Sequence, residues 1–192
     1  MSFAPFLSRF IILLCWAAYL ALFLKPRAFK RSKRSRSSVI GILFQLAGVF
    51  LVFFWRLPVS SSNLYASVMA VLLAIGAVWF SHLSLRSLGE QWSLVAGVTE
   101  RHQLICDGPY AVIRHPLYAC FFTLTFATAF VWTYPGGAMI ALTVFLTGVW
   151  IRIRTEEKLL QQTFGAQFDE YAKRVPALIP MLYPSADVRS DR

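Results

Sequence analysis

The feature that most constrains this sequence is a series of apolar segments, each close to the length that a helix needs to cross a lipid bilayer. We place five of them, over residues 6–24, 39–55, 64–85, 117–132 and 136–151. Of the 192 residues, 57% are apolar and 15% are charged, which excludes disordered and ordinary soluble proteins. The sequence therefore predicts an all-α polytopic membrane protein with about five transmembrane helices and a helical C-terminal tail.

The last two segments are predicted to form a helical hairpin. No charged residue occurs from Pro116 to Ile151, and at about 1.5 Å per residue this stretch is too long for one membrane-crossing helix. The sequence Tyr134-Pro135-Gly136-Gly137 interrupts it near the middle. We expect one integral membrane domain over residues 1–192, with three spans in 1–85 and a loop, the hairpin and a tail in 86–192.

The basic residues predict an orientation. Seven Lys and Arg lie between Lys25 and Arg36, three between Arg86 and Arg114, and seven from Arg152 onward, whereas Arg9 and Arg56 fall on the other side. Because cytosolic connections are enriched in basic residues, we expect an outside N-terminus and a cytosolic C-terminus. We expect a bacterial-type inner membrane rather than the endoplasmic reticulum.

Nucleic acid and metal are not expected as partners. The net charge is +10, but the basic residues separate apolar spans and form no exposed stripe with interleaved aromatic residues. The three cysteines show no Cys-x-x-Cys pair, and His82, His102 and His115 lack metal-ligand spacing. The sequence thus predicts neither a disulfide framework nor a metal site, and it leaves the oligomeric state open.

Polar residues that could take part in binding or catalysis occur together just before the fourth span. Pro116 is suited to the first position of a helix, because its missing N–H has no partner there. His115 and Tyr118 would then lie beside the free backbone N–H groups of the helix start, where a polar cofactor could dock. The alternative is a proline-initiated membrane helix with interfacial anchors.

A second polar group follows the fifth span. Glu156 and Glu157 can bind hydroxyl or ammonium groups, and they point about 100° apart on a helix, so at most one is expected to face inward. The alternative is a solvated extension of the helix. Arg174 follows as a cation that could clamp a carboxylate. We interpret Gln45 and His82 as residues that hydrogen-bond between helices, outside the site.

These motifs resemble a known family. Gly108-Pro109-Tyr110, Arg114-His115-Pro116-x-Tyr118, Glu156-Glu157 and Phe164-Gly165-x-x-Phe168-x-x-Tyr171-x-x-Arg174-Val175 are similar in type and order to the isoprenylcysteine carboxyl methyltransferase family of membrane enzymes. The match spans residues 88–180, and phospholipid N-methyltransferases are similar in the same region. Phe168 stands where this family often has tyrosine.

The resemblance implies S-adenosylmethionine as the methyl donor, bound between the loop before the fourth span and the tail. It implies that Glu157, or its neighbour Glu156, binds the polar end of the cofactor, and that Arg174 faces the methyl acceptor. Arg174 and Glu157 are thus the candidate catalytic residues. The candidate cofactor-binding residues are His102, Gln103, Leu104, Gly108, Tyr110, Arg114, His115, Pro116, Tyr118, Glu156, Glu157 and Tyr171.

The implied reaction is carboxyl methylation of a lipophilic or prenylcysteine-like acceptor taken from the membrane. A carboxylate with a pKa of about 3.5 is already ionised at neutral pH, so the transfer needs positioning more than a general base. Three alternatives stay open: a phospholipid N-methyltransferase, an NADPH-dependent membrane reductase of the sterol-reductase type, and a non-catalytic membrane subunit or transporter. The short chain argues against the reductase.

Overall fold

The computed structural model describes residues 4–24, 36–57, 64–89 and 103–178. Within these ranges the chain is helical and forms no strand, with one isolated antiparallel bridge between Arg56 and Thr133. The predicted all-α class is confirmed. The helices are α1 (Ala4–Leu24), α2 (Arg36–Phe54), α3 (Leu64–Leu88), α4 (Pro109–Val112), α5 (Pro116–Trp132), α6 (Pro135–Phe164) and α7 (Ala166–Arg174).

The described helices account for the predicted spans. Four of them, α1, α2, α3 and α6, are long and apolar enough to cross a membrane, and α5 is a shorter apolar helix of 17 residues. At about 1.5 Å per residue α5 is about 26 Å long, slightly less than a hydrocarbon core of about 30 Å. The chain is an integral membrane protein.

Local sequence signals set the ends of the last helices. Pro116 and Pro135 each occupy the first turn of their helix, so the start of the fourth span and the break of the hairpin are confirmed. Helix α6 runs 30 residues without interruption, well beyond the apolar segment that ends at Ile151. It stops at Gly165, whose φ of +50° suits glycine at a helix end.

Helices α2 and α6 approach each other closely because glycines line their contact. The buried face of α2 repeats every three or four residues and ends where α2 ends; its members are Ser38, Gly41, Gln45, Gly48 and Val52. A Cβ atom on Gly148 of α6 would lie 2.6 Å from the carbonyl oxygen of Gly41. Small residues thus let these two backbones pack against each other, as is typical of membrane helices.

Helices α1, α3 and α5 form a second packed group. Ala70, Ala74 and Ala77 form a fully buried stripe of small residues on α3, against which Ile12 of α1 and Leu124 of α5 pack. Aromatic rings join this group to α2 and α6; they are Trp16, Tyr19, Phe53, Phe121 and Phe145. Large apolar side chains on the opposite faces are exposed, as expected for surfaces that contact lipid.

One end of the bundle is tied together by a buried arginine. Arg9 donates hydrogen bonds to the carbonyl oxygens of Val131 and Leu57, and its guanidinium stacks over the Trp132 ring 5.2 Å away. This joins the start of α1 to the ends of α2 and α5. The polar residues of the candidate site lie at the other end, where α5 begins, so the two ends carry different polar groups.

Candidate functional site

The segment before α5 is paired to the chain that follows α7. The backbone N–H groups of Arg114 and His115 donate to the carbonyl oxygens of Pro176 and Ala177, at 2.9 and 3.0 Å. Gly108 allows the turn that leads into this segment, since its φ is +59° and an added Cβ would lie 2.9 Å from the Ser87 hydroxyl oxygen. Two stretches about 60 residues apart thus form one unit.

Arg114 joins three elements at this unit. Its Nε and Nη2 atoms donate to Glu157 Oε1 at 3.0 and 2.7 Å, which links the loop to α6. Its Nη1 atom donates to the carbonyl oxygens of Ala172 and Val175, which links the loop to α7. The side chain is 10% exposed. The fork of donors on one planar group makes this arrangement possible.

Both adjacent carboxylates face His115. The imidazole is buried, its Nε2 lies 3.2 Å from Glu157 Oε1, and its Nδ1 lies 3.7 Å from Glu156 Oε2. The expectation that at most one of the two glutamates faces inward is therefore wrong. The His115 ring contacts both glutamates because its two nitrogens lie on different edges of the ring. About a quarter of each glutamate side chain stays exposed.

The surroundings of His115 raise its pKa. Burial favours the neutral ring and lowers the pKa, but hydrogen bonds to Glu156 and Glu157 and the charges of these carboxylates outweigh burial and raise it above its ordinary value. The protonated imidazolium therefore stabilises the folded protein. That stabilisation is complete below about pH 6.5 and is lost as the pH rises through the folded-state pKa.

We expect the thermal unfolding midpoint of the purified protein to fall as the pH rises above about 6.5, because the unfolded chain then loses the His115 proton while the folded protein holds it up to its raised pKa. The His115→Gln variant lacks this group, so its midpoint should depend less on pH. Differential scanning fluorimetry in a pH series measures both. Parallel curves for the two proteins would contradict the role assigned to the imidazolium.

Tyr118 and Arg152 surround the second glutamate. The Tyr118 hydroxyl donates a short hydrogen bond to Glu156 Oε1, and Arg152 Nη2 lies 3.6 Å from the same oxygen. The Arg152 guanidinium stacks over the Tyr118 ring at 4.9 Å, and Arg152 is 6% exposed. Arg152 was not among the site residues expected from the sequence. Its position four residues before Glu156 was the available signal.

Helix α7 covers the loop through an apolar cluster and one hydrogen bond. Phe168 and Tyr171 of α7 and Val175, which follows it, pack with Leu104 and Cys106. The Tyr171 hydroxyl donates to the Tyr110 carbonyl oxygen at 2.6 Å, which fixes the loop against α7.

Other candidate residues lie farther from the contacts between His115 and the two glutamates, or outside the described residues. Gln103 is exposed at the start of the described segment, and His102 lies outside the described residues. Arg174 is exposed at the end of α7, where its Nε donates to the Glu170 carbonyl oxygen at 3.2 Å. The structure thus brings Tyr110, Arg114, His115, Tyr118, Glu156 and Glu157 together, and it leaves Arg174 at the rim.

The comparisons with known proteins decide the family. The model of the phospholipid methyltransferase family matches residues 65–167, slightly more than half of the chain. The chain belongs to this family. The matched residues contain all of α3 except its first residue, all of α4, α5 and α6, and the start of α7, and therefore most of the site. They exclude α1 and α2.

Two of the similar proteins carry the name to which the motifs point. The chain is 37% identical to protein-S-isoprenylcysteine O-methyltransferase B of Arabidopsis thaliana, over 43% of this chain and 42% of the relative. It is 35% identical to the isoprenylcysteine O-methyltransferase of Schizosaccharomyces pombe, over 42% and 34%. It is also 32% identical to the nickel-cobalt-cadmium resistance protein NccN of Alcaligenes xylosoxydans xylosoxydans, over 60% and 53%. The matches cover about half or less of each relative.

Proposed function

We propose that this protein transfers a methyl group from S-adenosylmethionine to the carboxylate of a lipophilic, prenylcysteine-like acceptor in the membrane. The observation that carries the proposal is the gathering of the methyltransferase motifs at one end of the bundle. Arg114 and His115 from the loop meet Glu156 and Glu157 from α6 in direct contacts. The names of the relatives support the same class of reaction.

The residues present fit the methyl donor. S-adenosylmethionine carries an ammonium and a sulfonium, and two partly exposed carboxylates are suitable acceptors for cationic groups. Glu156 and Glu157 would hold the ammonium, while Arg114 and His115 keep both carboxylates ionised and oriented. Tyr110 and Tyr118 are buried beside them and would contact the apolar parts. When bound, the donor would supply an electrophilic methyl group.

The acceptor would reach the site from the lipid. The exposed apolar faces of α1, α2 and α6 would contact lipid, so a lipid-borne acceptor would approach the site along them. A carboxylate acceptor is ionised at neutral pH and needs no base, so its placement is the main requirement. Arg174 at the rim of the site is the cation that we propose for this placement, and Glu157 is the proposed catalytic partner that fixes the donor.

We also propose that the site faces the cytosol, with the N-terminus outside, because the predicted cytosolic segments hold seventeen of the nineteen Lys and Arg. A water-soluble donor would then enter from the cytosol while the acceptor stays in the membrane. A bacterial-type inner membrane remains our prediction.

Isothermal titration with S-adenosylhomocysteine, the demethylated donor, tests the cofactor. We expect micromolar binding by the wild type and at least about tenfold weaker binding by Glu157→Gln, since a neutral amide holds an ammonium less well. Glu170→Gln is the matched control, because the Glu170 carboxylate is exposed on α7 and pairs with Lys173. Equal binding by all three proteins would refute the assigned site.

Transfer of a labelled methyl group into a membrane extract tests the acceptor. A carboxyl methyl ester releases its label in alkali, whereas an N-methyl amine retains it. We expect alkali-labile label in the lipid-soluble fraction. Alkali-stable label would instead show that the protein methylates the nitrogen of a lipid amine. This is the second candidate function, and the name of the matched family favours it. No transfer of label at all would contradict both.

A further inference from the structure

Gln45 is a buried polar residue in the middle of α2, outside the part of the chain that matches the family. It is 1% exposed, and its Oε1 accepts a hydrogen bond from Arg152 Nη1 at 3.4 Å. A guanidinium carries donors alone, so the carboxamide oxygen has to be the atom that faces it. The contact joins α2 to the end of the apolar part of α6.

Glycines on both helices bring the two side chains together. A Cβ atom on Gly41 would lie 2.5 Å from Arg152 Cγ, and one on Gly148 would lie 2.9 Å from Gln45 Cγ. The aliphatic part of Arg152 therefore lies directly on the α2 backbone, and Gln45 fills the space beside Gly148. Packing against α2 thus restricts the conformation of the Arg152 side chain.

Arg152 in turn contacts residues of the candidate site. Its guanidinium contacts the Tyr118 ring and the Glu156 carboxylate, and Glu156 in turn contacts His115. We propose that Gln45 is a positioning residue, which acts through Arg152 to hold Glu156 and Tyr118 in place for the ligand of the site. The consequence for the methyl donor rests on the proposed function.

Folding alone does not explain this pair. Burying an amide and a guanidinium in an apolar segment is unfavourable, and replacing both partners of such a pair with apolar residues of similar volume is often neutral or stabilising. Removing Gln45 alone takes one acceptor from the buried Arg152 guanidinium, which costs stability. Methionine has nearly the length of glutamine and no strong acceptor. Both a structural and a positioning role therefore predict some loss of stability in Gln45→Met, and only a positioning role predicts that the titration of His115 and the binding of a ligand change as well.

The histidine signals test the positioning without any ligand. The sequence has three histidines, so NMR titration of isotope-labelled histidine in detergent micelles is tractable, with His115→Gln providing the assignment. His115 is faced by Glu156 and Glu157 of α6, Tyr118 of α5 and its neighbour Arg114. Loss of the Arg152 charge should leave Glu156 freer to pair with His115. In Arg152→Met the His115 midpoint should therefore rise.

We expect Gln45→Met to raise the His115 midpoint by about half a pH unit, in the same direction as Arg152→Met, and to lower the thermal unfolding midpoint modestly. S-adenosylhomocysteine should bind about fivefold more weakly to Gln45→Met. Gln45→Glu keeps an oxygen toward Arg152 and should restore most of the binding. Leu46→Met is the matched control, because Leu46 lies on the exposed face of α2.

Each outcome decides the proposal. An unmoved His115 midpoint in Gln45→Met overturns it, whatever the ligand does. A moved midpoint with equal S-adenosylhomocysteine binding in all variants also overturns it, because the site then does not depend on Gln45. A moved midpoint with no S-adenosylhomocysteine binding even by the wild type supports the positioning of Arg152 and Glu156, and contradicts the proposed methyl donor instead.

Discussion

Arg114→Ala is expected to weaken S-adenosylhomocysteine binding by about a hundredfold or more and to release α7 from the loop. The change removes two hydrogen bonds to Glu157 and two to the carbonyl oxygens of Ala172 and Val175. These bonds hold Glu157 and the loop in position, and displacing a positioned group by about 1 Å can cost about a hundredfold. Titration calorimetry measures the binding, and limited proteolysis after α6 measures the release.

Two further variants separate charge from geometry. Arg114→Lys keeps the charge but cannot reach Glu157 and both carbonyl oxygens at once, so we expect it to restore little of the binding. Arg154→Ala is the matched control, because Arg154 is exposed on α6 and its guanidinium stacks on Trp150. Full binding by Arg114→Lys would show that charge alone matters. Normal binding by Arg114→Ala would remove Arg114 from the site.

Gly148→Leu is expected to give the largest loss of stability, because α2 and α6 leave no room for a side chain there. An added Cβ would lie 2.6 Å from the Gly41 carbonyl oxygen and 2.8 Å from the Gln45 backbone nitrogen. Backbone atoms cannot yield as side chains do, so the helices have to separate. Overpacking typically costs about 1–3 kcal/mol, and we expect the upper end. Thermal unfolding in detergent measures the loss.

Gly76→Ala is the control for Gly148→Leu. Gly76 lies in α3, and an added Cβ there meets no atom within 4 Å. Alanine is a better helix former than glycine, so we expect an unchanged or slightly higher unfolding midpoint. If Gly148→Leu unfolded at the wild-type temperature, the close packing of α2 on α6 would be contradicted.

Helix positions could be predicted because they depend on local physical chemistry. A proline at the first turn fixes the start of α5 at Pro116, and a glycine with positive φ fixes the end of α6 at Gly165. Runs of apolar residues long enough to cross a bilayer identify the spans without knowledge of their partners. The motif residues of the candidate site followed from resemblance, and the structure brings Arg114, His115, Tyr118, Glu156 and Glu157 into mutual contact.

The contacts between distant residues could not be predicted in the same way. Arg152 meets Gln45 from 107 positions away, and this depends on how α2 and α6 rotate and how closely their glycines let them approach. The joint use of Glu156 and Glu157 depends on the position of a third residue, His115. Arg174 has the right charge but lies exposed, since the apolar stripe of α7 that packs inward leaves it on the outer face.

Hydrogen–deuterium exchange with and without S-adenosylhomocysteine tests the central claim most directly. The claim is that the segment before α5 and the end of α6 with α7 form one site for the methyl donor. It predicts that the ligand slows exchange in both residues 109–118 and residues 152–175, and leaves residues 64–80 of α3 unchanged. Slower exchange in one of the two segments alone, or in neither, would contradict it.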